Sequence, residues 1–205
     1  AYLPNESNSL LFSMALSYLG DCQRIFPSDS RPLEQVLWKI VTTNPVSQHR
    51  LQAFRLYRSI ADSEEAVQRL YTLWQERKAP KDCALSESDY IGLSYMLAMH
   101  LPEKADKIIA TQLSRIQNPD RKKEYQFISP SVSPRKAERD SVFASLLIAG
   151  NRRVEPWASS ALANLNHRLR EQESVAYIRL ALEAMSEVQL SLIHISEPTR
   201  LRCIS

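Results

Sequence analysis

The sequence predicts an all-α protein, and three observations carry this prediction. Apolar residues recur at steps of three and four through most of the 205 residues, which is the helical period. Glycine occurs only three times, and the eleven prolines fall mainly between apolar segments, where they punctuate helices. No segment alternates apolar and polar residues over the length of a convincing strand. We therefore predict antiparallel helix hairpins stacked as an irregular HEAT-like α-solenoid or superhelical bundle.

The first 117 residues contain six predicted helices. The first begins near Asn5 or Ser7 and can end at Gly20-Asp21, carrying Leu10, Leu11, Met14, Leu16, Tyr18 and Leu19. The limits of the next five are Ser30 to Thr43, Val46 to Ala61, Ser63 to Lys78, Ser86 to Leu101 and Lys104 to Gln117. Ser30, Ser63 and Ser86 are predicted N-caps, because a serine hydroxyl can accept from the first free backbone N–H groups of a helix.

The helices on either side of Asp62-Ser63 give the clearest pattern. The first carries Leu51, Phe54, Tyr57 and Ile60 at steps of three, and the second carries Val67, Leu70, Tyr71 and Trp74. A two-residue turn between helices predicts antiparallel neighbours. A second pair follows, with Ile91, Tyr95, Met96 and Met99 on one helix and Ile108, Ile109, Leu113 and Ile116 on the other.

The sequence after residue 117 predicts shorter helices. One ends at Ser129-Pro130, and the next is capped by Ser133, with Gly150-Asn151 as its C-terminal cap. Pro156 opens a helix, because proline needs no hydrogen-bond partner at a first helical position. The last helix runs from about Arg170 to near Val188, and its predicted inward residues are Val175, Ile178, Leu182 and Met185.

Charge and cysteine content narrow the possible classes. The formal net charge is +3, which is no basic footprint and argues against dedicated nucleic-acid binding. No apolar run approaches the roughly 20 residues of a membrane span. Cys22 and Cys83 are far apart and form no metal-ligand pattern, so we predict two buried free thiols, with a disulfide as the alternative. Cysteine use does not fix the compartment.

No residue is predicted to be catalytic, cofactor-binding or metal-binding in this chain. His49, His100 and His167 belong to no His-Glu-x-x-His arrangement, so we expect two titratable groups at helix edges and one local hydrogen bond at His167. The basic runs Arg121-Lys122-Lys123 and Arg152-Arg153 suit solvated turns. Trp38, Trp74 and Trp157 lie on apolar faces and suit core packing rather than a binding platform. Glu87 and Asp89 flank a helix start and are not a catalytic pair.

The last sixteen residues differ in character from the rest. Leu190 to Arg200 resembles the translation of a transposase adapter used in sequencing libraries. We therefore expect 190–205 to be a non-native, adapter-derived tail and residues 1–189 to be a natural domain truncated at both ends. Removing Arg200, Arg202 and Glu197 with that tail lowers the formal net charge from +3 to +2.

Residues 118–189 also carry a family resemblance. The segments that carry it are Phe127-Ile128-Ser129-Pro130, Glu138-Arg139-Asp140-Ser141-Val142-Phe143-Ala144-Ser145-Leu146, Asn151-Arg152-Arg153-Val154-Glu155-Pro156-Trp157, Ala161-Leu162-Ala163-Asn164-Leu165-Asn166-His167, Tyr177-Ile178-Arg179 and Glu187-Val188-Gln189. In this order they resemble the C-terminal HEAT-like helical domain of the M1 family of zinc aminopeptidases. The upstream helices are similar to the same domain, less specifically.

The resemblance implies a larger metallopeptidase that hydrolyses N-terminal residues from peptides. In that family zinc and the His-Glu-x-x-His helix lie in a preceding catalytic domain, so the implied partners of this chain are that domain and the parent's peptide substrates. The helical domain packs beside it and encloses the substrate cavity, which keeps out bulk water and large substrates. No catalytic or metal residue carries over to this chain, so the chain alone is expected to be inactive.

A second interpretation comes from the predicted architecture alone. Stacked helix hairpins often form stand-alone scaffolds that bind another protein through one face. The DNA upstream of Ala1 discriminates between the two, because only the enzyme predicts a His-Glu-x-x-His run in the same reading frame.

Overall fold

The predicted all-α class is confirmed. The computed structural model describes residues 3–26, 28–180 and 182–183, and over those residues it contains helices and no strand. The helices are α1 Ser9–Ile25, α2 Arg31–Thr43, α3 Ser47–Ile60, α4 Glu64–Glu76, α5 Glu87–His100, α6 Ala105–Arg115, α7 Pro119–Ile128, α8 Lys136–Leu146, α9 Glu155–Leu165 and α10, residues 171–180. Short 3-10 turns lie at Leu3–Asn5, Pro102–Lys104, Ser129–Val132, Ala149–Arg152 and Arg168–Arg170.

The chain divides into two compact units. Unit 1 is Ala1–Lys122 and unit 2 is Lys123–Ser205. Helix packing in the described residues is that of a helical bundle or solenoid. The tail predicted at 190–205, the inward position of Met185 and the helix end near Val188 lie outside the described residues.

Helix pairing in unit 1 differs from the prediction at one place. The main packing partners of α3 are α2 and α1, while α4 packs mainly on α5 and α5 on α6. Helices α3 and α4 still touch, through the hydrogen bond from Arg69 to Tyr57, but each has its main packing partner elsewhere. The apolar face of α3 meets α2 instead, where the rings of Trp38 and Tyr57 lie 5.1 Å apart. A short turn fixes that two helices are consecutive but does not fix which one each packs on.

Helix α1 is longer than predicted. Asn8 caps it by accepting from the backbone N–H groups of Leu10 and Leu11, and it passes through Gly20 to Ile25. A side chain at Gly20 would place its Cβ 3.0 Å from Leu56 Cδ1, so glycine here permits close packing rather than ending the helix. The buried residues are Phe12 and Leu16.

Local start and stop signals are otherwise well placed. Ser63 and Ser86 accept from backbone N–H groups three residues ahead, as N-caps do. Helix α2 ends at Thr43, and the helix that Pro156 opens begins at Glu155. Ser30 occupies the N-cap position of α2 but makes no capping hydrogen bond. These signals succeed because the interacting atoms are within a few residues of one another.

In α5, whose inward face was not predicted, Leu93, Ser94, Met96 and Leu97 are buried, and Ile91, Tyr95 and Met99 are half-buried. The inward face predicted for the last helix is wrong. In α10 the buried residues are Ser174 and Tyr177, whereas Val175, Ile178 and Leu182 are exposed.

The core of unit 2 explains the orientation of α10. Tyr177 stacks on Phe143 with ring centroids 4.5 Å apart, within a cluster made of Phe143, Leu146, Ala158, Ala161, Leu165 and Tyr177. Helix α8 begins at Lys136 rather than at the predicted cap Ser133, and it ends at Leu146. Gly150 and Asn151 form a separate 3-10 turn rather than the cap itself.

Candidate functional site

Two of the three histidines considered above, His49 and His167, have structural roles. His49 is fully buried, stacks on Phe12 with ring centroids 4.1 Å apart and forms a 3.0 Å hydrogen bond with the Ser9 hydroxyl. The prediction that His49 is an edge group is therefore wrong, because α1 covers it. His167 Nδ1 accepts from the backbone N–H of Leu169, which confirms a local role.

The described residues do not fit a zinc ion. Within them, no group of three His, Cys, Asp or Glu side chains is arranged to hold a metal. Cys83 is buried and Cys22 is exposed, and both are free thiols, so the prediction of two buried thiols is right for Cys83 alone. Burial raises the pKa of Cys83, which keeps its thiol protonated at neutral pH.

A polar cleft of about 730 Å³ lies in unit 1 between α2 and the start of α4. Its lining residues are Ser28, Asp29, Ser30, Arg31, Glu34, Gln35, Trp38, Lys39, Thr42, Asp62, Ser63, Glu64, Glu65, Ala66 and Arg69. Acidic side chains outnumber basic ones in this set, so the cleft disfavours anionic ligands.

One wall of the cleft is an aromatic and cationic stack. The Arg69 guanidinium lies 4.7 Å from the centroid of the Trp38 ring and donates 2.9 Å to the Tyr57 hydroxyl. It also forms an ion pair with Glu65 at 2.5 Å. These contacts use the guanidinium within unit 1, so the wall is built for packing between α2, α3 and α4.

The floor of the cleft is the buried carboxylate of Glu34. Its Oε1 accepts from the backbone N–H groups of Asp62 and Ser63, at 2.8 and 3.1 Å, and from the Ser30 hydroxyl at 2.8 Å. The Ser63 hydroxyl donates to Oε2. Helix α2 therefore fixes the turn between α3 and α4 through Glu34. The Ser30 hydroxyl donates to Glu34 and does not cap the start of α2.

The protonation of Glu34 follows from these contacts. Burial alone would raise its pKa, because a carboxylate loses hydration in the interior. The hydrogen bonds from Ser63, Asp62 and Ser30 favour the charged form and bring the pKa below its usual value. Glu34 is thus an anionic anchor and not a proton donor.

Asp89 is a second buried carboxylate with a structural role. It completes a capping box with Ser86 and forms an ion pair with Arg55 at 2.8 Å. Burial alone would raise the pKa of Asp89. The hydrogen bonds from Arg55 and Ser86 outweigh this effect, so the pKa is lower than usual. Next to it, the Arg58 guanidinium occupies space that a Cβ on Gly92 would fill, at 2.3 Å. Asp89 is therefore an anchor for α5.

Glu87 and the basic run near it behave as solvated turn residues. Glu87 accepts from the backbone N–H of Gln117 at 2.8 Å and pairs with Arg121 at 3.3 Å. Glu87 thus ties the loop after α6 to the start of α5. This agrees with the interpretation of Arg121-Lys122-Lys123 as a helix start.

In unit 2 two guanidinium groups hold the turn Ser129–Val132 and the residues after it. Arg139 donates to the carbonyls of Ser133 and Pro134 at 2.8 and 2.9 Å, and it pairs with Glu173. Arg170 donates to the carbonyls of Ser131, Val132 and Ser133 at 2.7, 2.8 and 3.1 Å. The start of α8 and the start of α10 are therefore fastened to one turn.

Arg170 at this turn has an unusually low pKa for an arginine. Burial, together with the positive charge of Arg139, lowers the pKa of Arg170 to about 10. Nearby, burial and the hydrogen bond to Asp140 raise the pKa of Tyr177 to about 12. Hydrogen bonds from Lys136 and Tyr177 lower the pKa of Asp140. The two guanidinium groups thus hold backbone carbonyls of the turn.

The residues that organise both units were missed by sequence analysis. Glu34 binds a partner 28 residues away, and Arg170 binds one 39 residues away. Arg139 binds a backbone carbonyl, and no sequence motif predicts this contact. The only local signal is Ser30, four residues before Glu34, because this is the spacing of neighbours on a helix face.

No family model, characterised protein or solved structure matches this chain. No helix among the described residues has both the length and the apolarity to cross a membrane.

Proposed function

We propose that the chain is part of the C-terminal helical domain of an M1-type zinc aminopeptidase, which hydrolyses N-terminal residues from peptides. In this proposal the chain is non-catalytic and helps to enclose the substrate cavity beside a preceding catalytic domain. In this proposal the metal belongs to that preceding domain, as the resemblance implies, and no step of the reaction is derived from this chain.

One observation carries the proposal: the residues that resemble the family meet one another in unit 2. The rings of Phe127 and Trp157 lie 5.8 Å apart, and the Tyr177 hydroxyl donates to Asp140. The Arg152 guanidinium donates to the carbonyl of Leu146 at 2.6 Å, at the end of α8.

Two further contacts extend the same pattern. Asn151 donates to the carbonyl of Ser145 at 3.0 Å, and Asn164 donates to the Ser131 hydroxyl at 3.0 Å. Residue types that recur in a fixed order are expected where each fills a position in one packed unit. The contacts therefore support a shared helical scaffold and assign these residues to packing rather than chemistry.

The reading frame upstream of Ala1 is the direct test. We expect a His-Glu-x-x-His codon run in that frame, within a few hundred residues. A start codon immediately before Ala1, with no such run, would refute the proposal.

An activity measurement tests the non-catalytic part separately. The 205-residue chain is incubated with zinc and an aminoacyl reporter, and we expect no turnover that a chelator abolishes. A longer product of the same frame that includes the upstream zinc motif is the positive control. Chelator-sensitive turnover by the 205-residue chain alone would contradict the assignment.

A stand-alone binding scaffold is the second candidate, and an observation on α1 favours it. Leu10, Leu11 and Tyr18 are exposed by 69, 52 and 65 %, which is an apolar surface suited to another protein. The same upstream sequence separates the candidates, because a scaffold requires no zinc motif in the frame.

A further inference from the structure

Helix α1 is apolar on two opposite sides. Phe12 and Leu16 face the interior of unit 1. Leu11, Met14, Tyr18 and Ile25 are exposed by 52, 45, 65 and 60 %. At 100° per residue these four lie within a sector of about 60°, opposite the buried pair.

The exposed side of α1 has the spacing of a helix–helix seam. Its residues follow one another at three, four and seven positions, which are the steps between the apolar positions of a coiled coil. A helix that is apolar all round is normally covered on all sides. A contiguous apolar stripe of this kind marks an interaction surface, whereas a single exposed leucine would not.

The charges around α1 favour a protein partner over a lipid surface. No residue from Asn8 to Gly20 is charged. Helices that lie on membranes have a polar face rich in Lys and Arg, and the basic residue at the end of α1, Arg24, is paired with Asp21 at 2.9 Å. An uncharged face can meet an identical face without repulsion, so it suits self-association.

We propose that α1 pairs antiparallel with α1 of a second copy of this chain, with Tyr18 close to the two-fold axis. In this register Leu11 faces the partner's Ile25 and Met14 faces the partner's Cys22, so each exposed residue meets an exposed residue. The inference does not depend on the aminopeptidase proposal, and it assigns to self-association the α1 surface that a scaffold would use to bind another protein.

The stripe supplies part of the area of such a dimer. The exposed portions of Leu11, Met14, Tyr18 and Ile25 amount to about 450 Å² in each copy, taking about 200 Å² for a fully exposed side chain, and the flanking Leu10 and Phe26 add roughly 270 Å². Two copies would therefore bury about 900 Å² with the stripe alone, the size of a weak interface, and about 1,400 Å² with the flanking residues, the size of a specific one.

Sedimentation of the full chain over about a hundredfold range of concentration tests the proposal. We expect a monomer–dimer equilibrium, and we expect Tyr18→Glu to raise the dissociation constant at least about tenfold, because it places two like charges at the axis. The matched control is Ile178→Glu, which changes an exposed apolar residue on α10 and is expected to leave the dimer intact. Circular dichroism verifies that both variants remain folded.

A monomer at every concentration overturns the proposal, and so does a dimer that persists unchanged in folded Tyr18→Glu. A dimer lost in both variants would also contradict it, because the interface would then include α10.

A disulfide tests the register. Tyr18→Cys, in a chain that also carries Cys22→Ser and Cys203→Ser, is expected to give a covalent dimer on oxidation, because the two Cα atoms must approach within about 7 Å. Lys107→Cys in the same background changes an exposed residue of α6 and is expected not to cross-link. Equal cross-linking of the two variants, or none with Tyr18→Cys in a chain that dimerises, overturns the antiparallel register.

Discussion

The two units each contain a turn held by buried charge, but the charges have opposite signs. In unit 1 the anion Glu34 accepts from the backbone N–H groups of Asp62 and Ser63. In unit 2 the cations Arg139 and Arg170 donate to backbone carbonyls, including that of Ser133. The two turns thus solve the same problem with opposite chemistry.

The difference shows that backbone polarity selects the charge of the anchor. A turn that leads into a helix leaves N–H groups without partners, and these are satisfied by a carboxylate. The end of a 3-10 turn leaves carbonyl groups without partners. A guanidinium can bind several of them at once, because its donors form a planar fork. Each anchor offsets its own desolvation only through several hydrogen bonds, so removing one anchor exposes several unpaired groups.

The largest expected effect follows from removing the anion. Glu34→Ala leaves the Asp62 and Ser63 N–H groups and two hydroxyls without their acceptor, and we expect the free energy of unfolding to fall by about 4 kcal/mol. Urea unfolding followed by circular dichroism measures this change, and hydrogen exchange locates it in unit 1. Glu64→Ala, an exposed glutamate at the same cleft, is the control and should cost less than about 1 kcal/mol. Equal losses in the two variants would show that Glu34 is no anchor.

Removing a cation is the matching test in unit 2. Arg139→Met keeps much of the side-chain volume but frees the Pro134 carbonyl and Glu173 and leaves the Ser133 carbonyl with Arg170 alone, and we expect a loss of about 3 kcal/mol. Hydrogen exchange should show faster exchange in unit 2. The control is Arg179→Met, whose guanidinium is exposed and pairs with Glu183, with an expected loss below about 0.5 kcal/mol. A stability equal to that of Arg179→Met would contradict the role of Arg139.

Acid should distinguish the two anchors. The pKa of Glu34 is lower in the folded chain, so its contribution is present above the unfolded pKa of about 4.3 and is lost as pH falls through the folded pKa. The difference in unfolding free energy between the unsubstituted chain and Glu34→Gln should therefore be about 2 kcal/mol at neutral pH and should shrink in acid. The difference for Arg139→Met should persist over the same range, because the backbone carbonyls that Arg139 binds do not titrate. A Glu34→Gln difference that is independent of pH would argue against an ionised Glu34.

The smallest expected effect concerns the hydrogen bond from Tyr177 to Asp140. Tyr177→Phe removes the donor and keeps the ring stacked on Phe143, so we expect a loss of about 1 kcal/mol at neutral pH. The pKa of Tyr177 is raised to about 12, so this contribution is present below the unfolded pKa of about 10 and is lost as pH rises toward 12. Ultraviolet titration of tyrosinate in the two chains measures the pKa directly. If all tyrosines of the unsubstituted chain titrate near pH 10, the hydrogen bond from Tyr177 to Asp140 is refuted.

Several features of the fold were predictable because they are local. The caps Ser63 and Ser86 act on backbone three residues ahead, and the end of α2 precedes Pro45. The anchors were not predictable, because sequence spacing does not reveal a partner that lies on another helix. Glu34 reads as an ordinary surface glutamate until α2 is packed beside the turn at Ser63.

The orientation of apolar helices marks the limit of the sequence. Helix α10 offers Val175 and Ile178 on one side and Tyr177 on another, and periodicity alone favoured the aliphatic side. Packing chose Tyr177, because its ring stacks on Phe143 while its hydroxyl reaches Asp140. The same ambiguity in α1 leaves a second apolar side exposed.

The sequence by itself determined that this chain is all-α and where most of its helices begin and end. These properties depend on interactions within a few residues of the chain. Only the tertiary structure decided which helices pair, which faces are buried, and which charged residues are anchors. Those outcomes depend on groups distant in sequence, whose burial and hydrogen bonding exist only after the helices have packed.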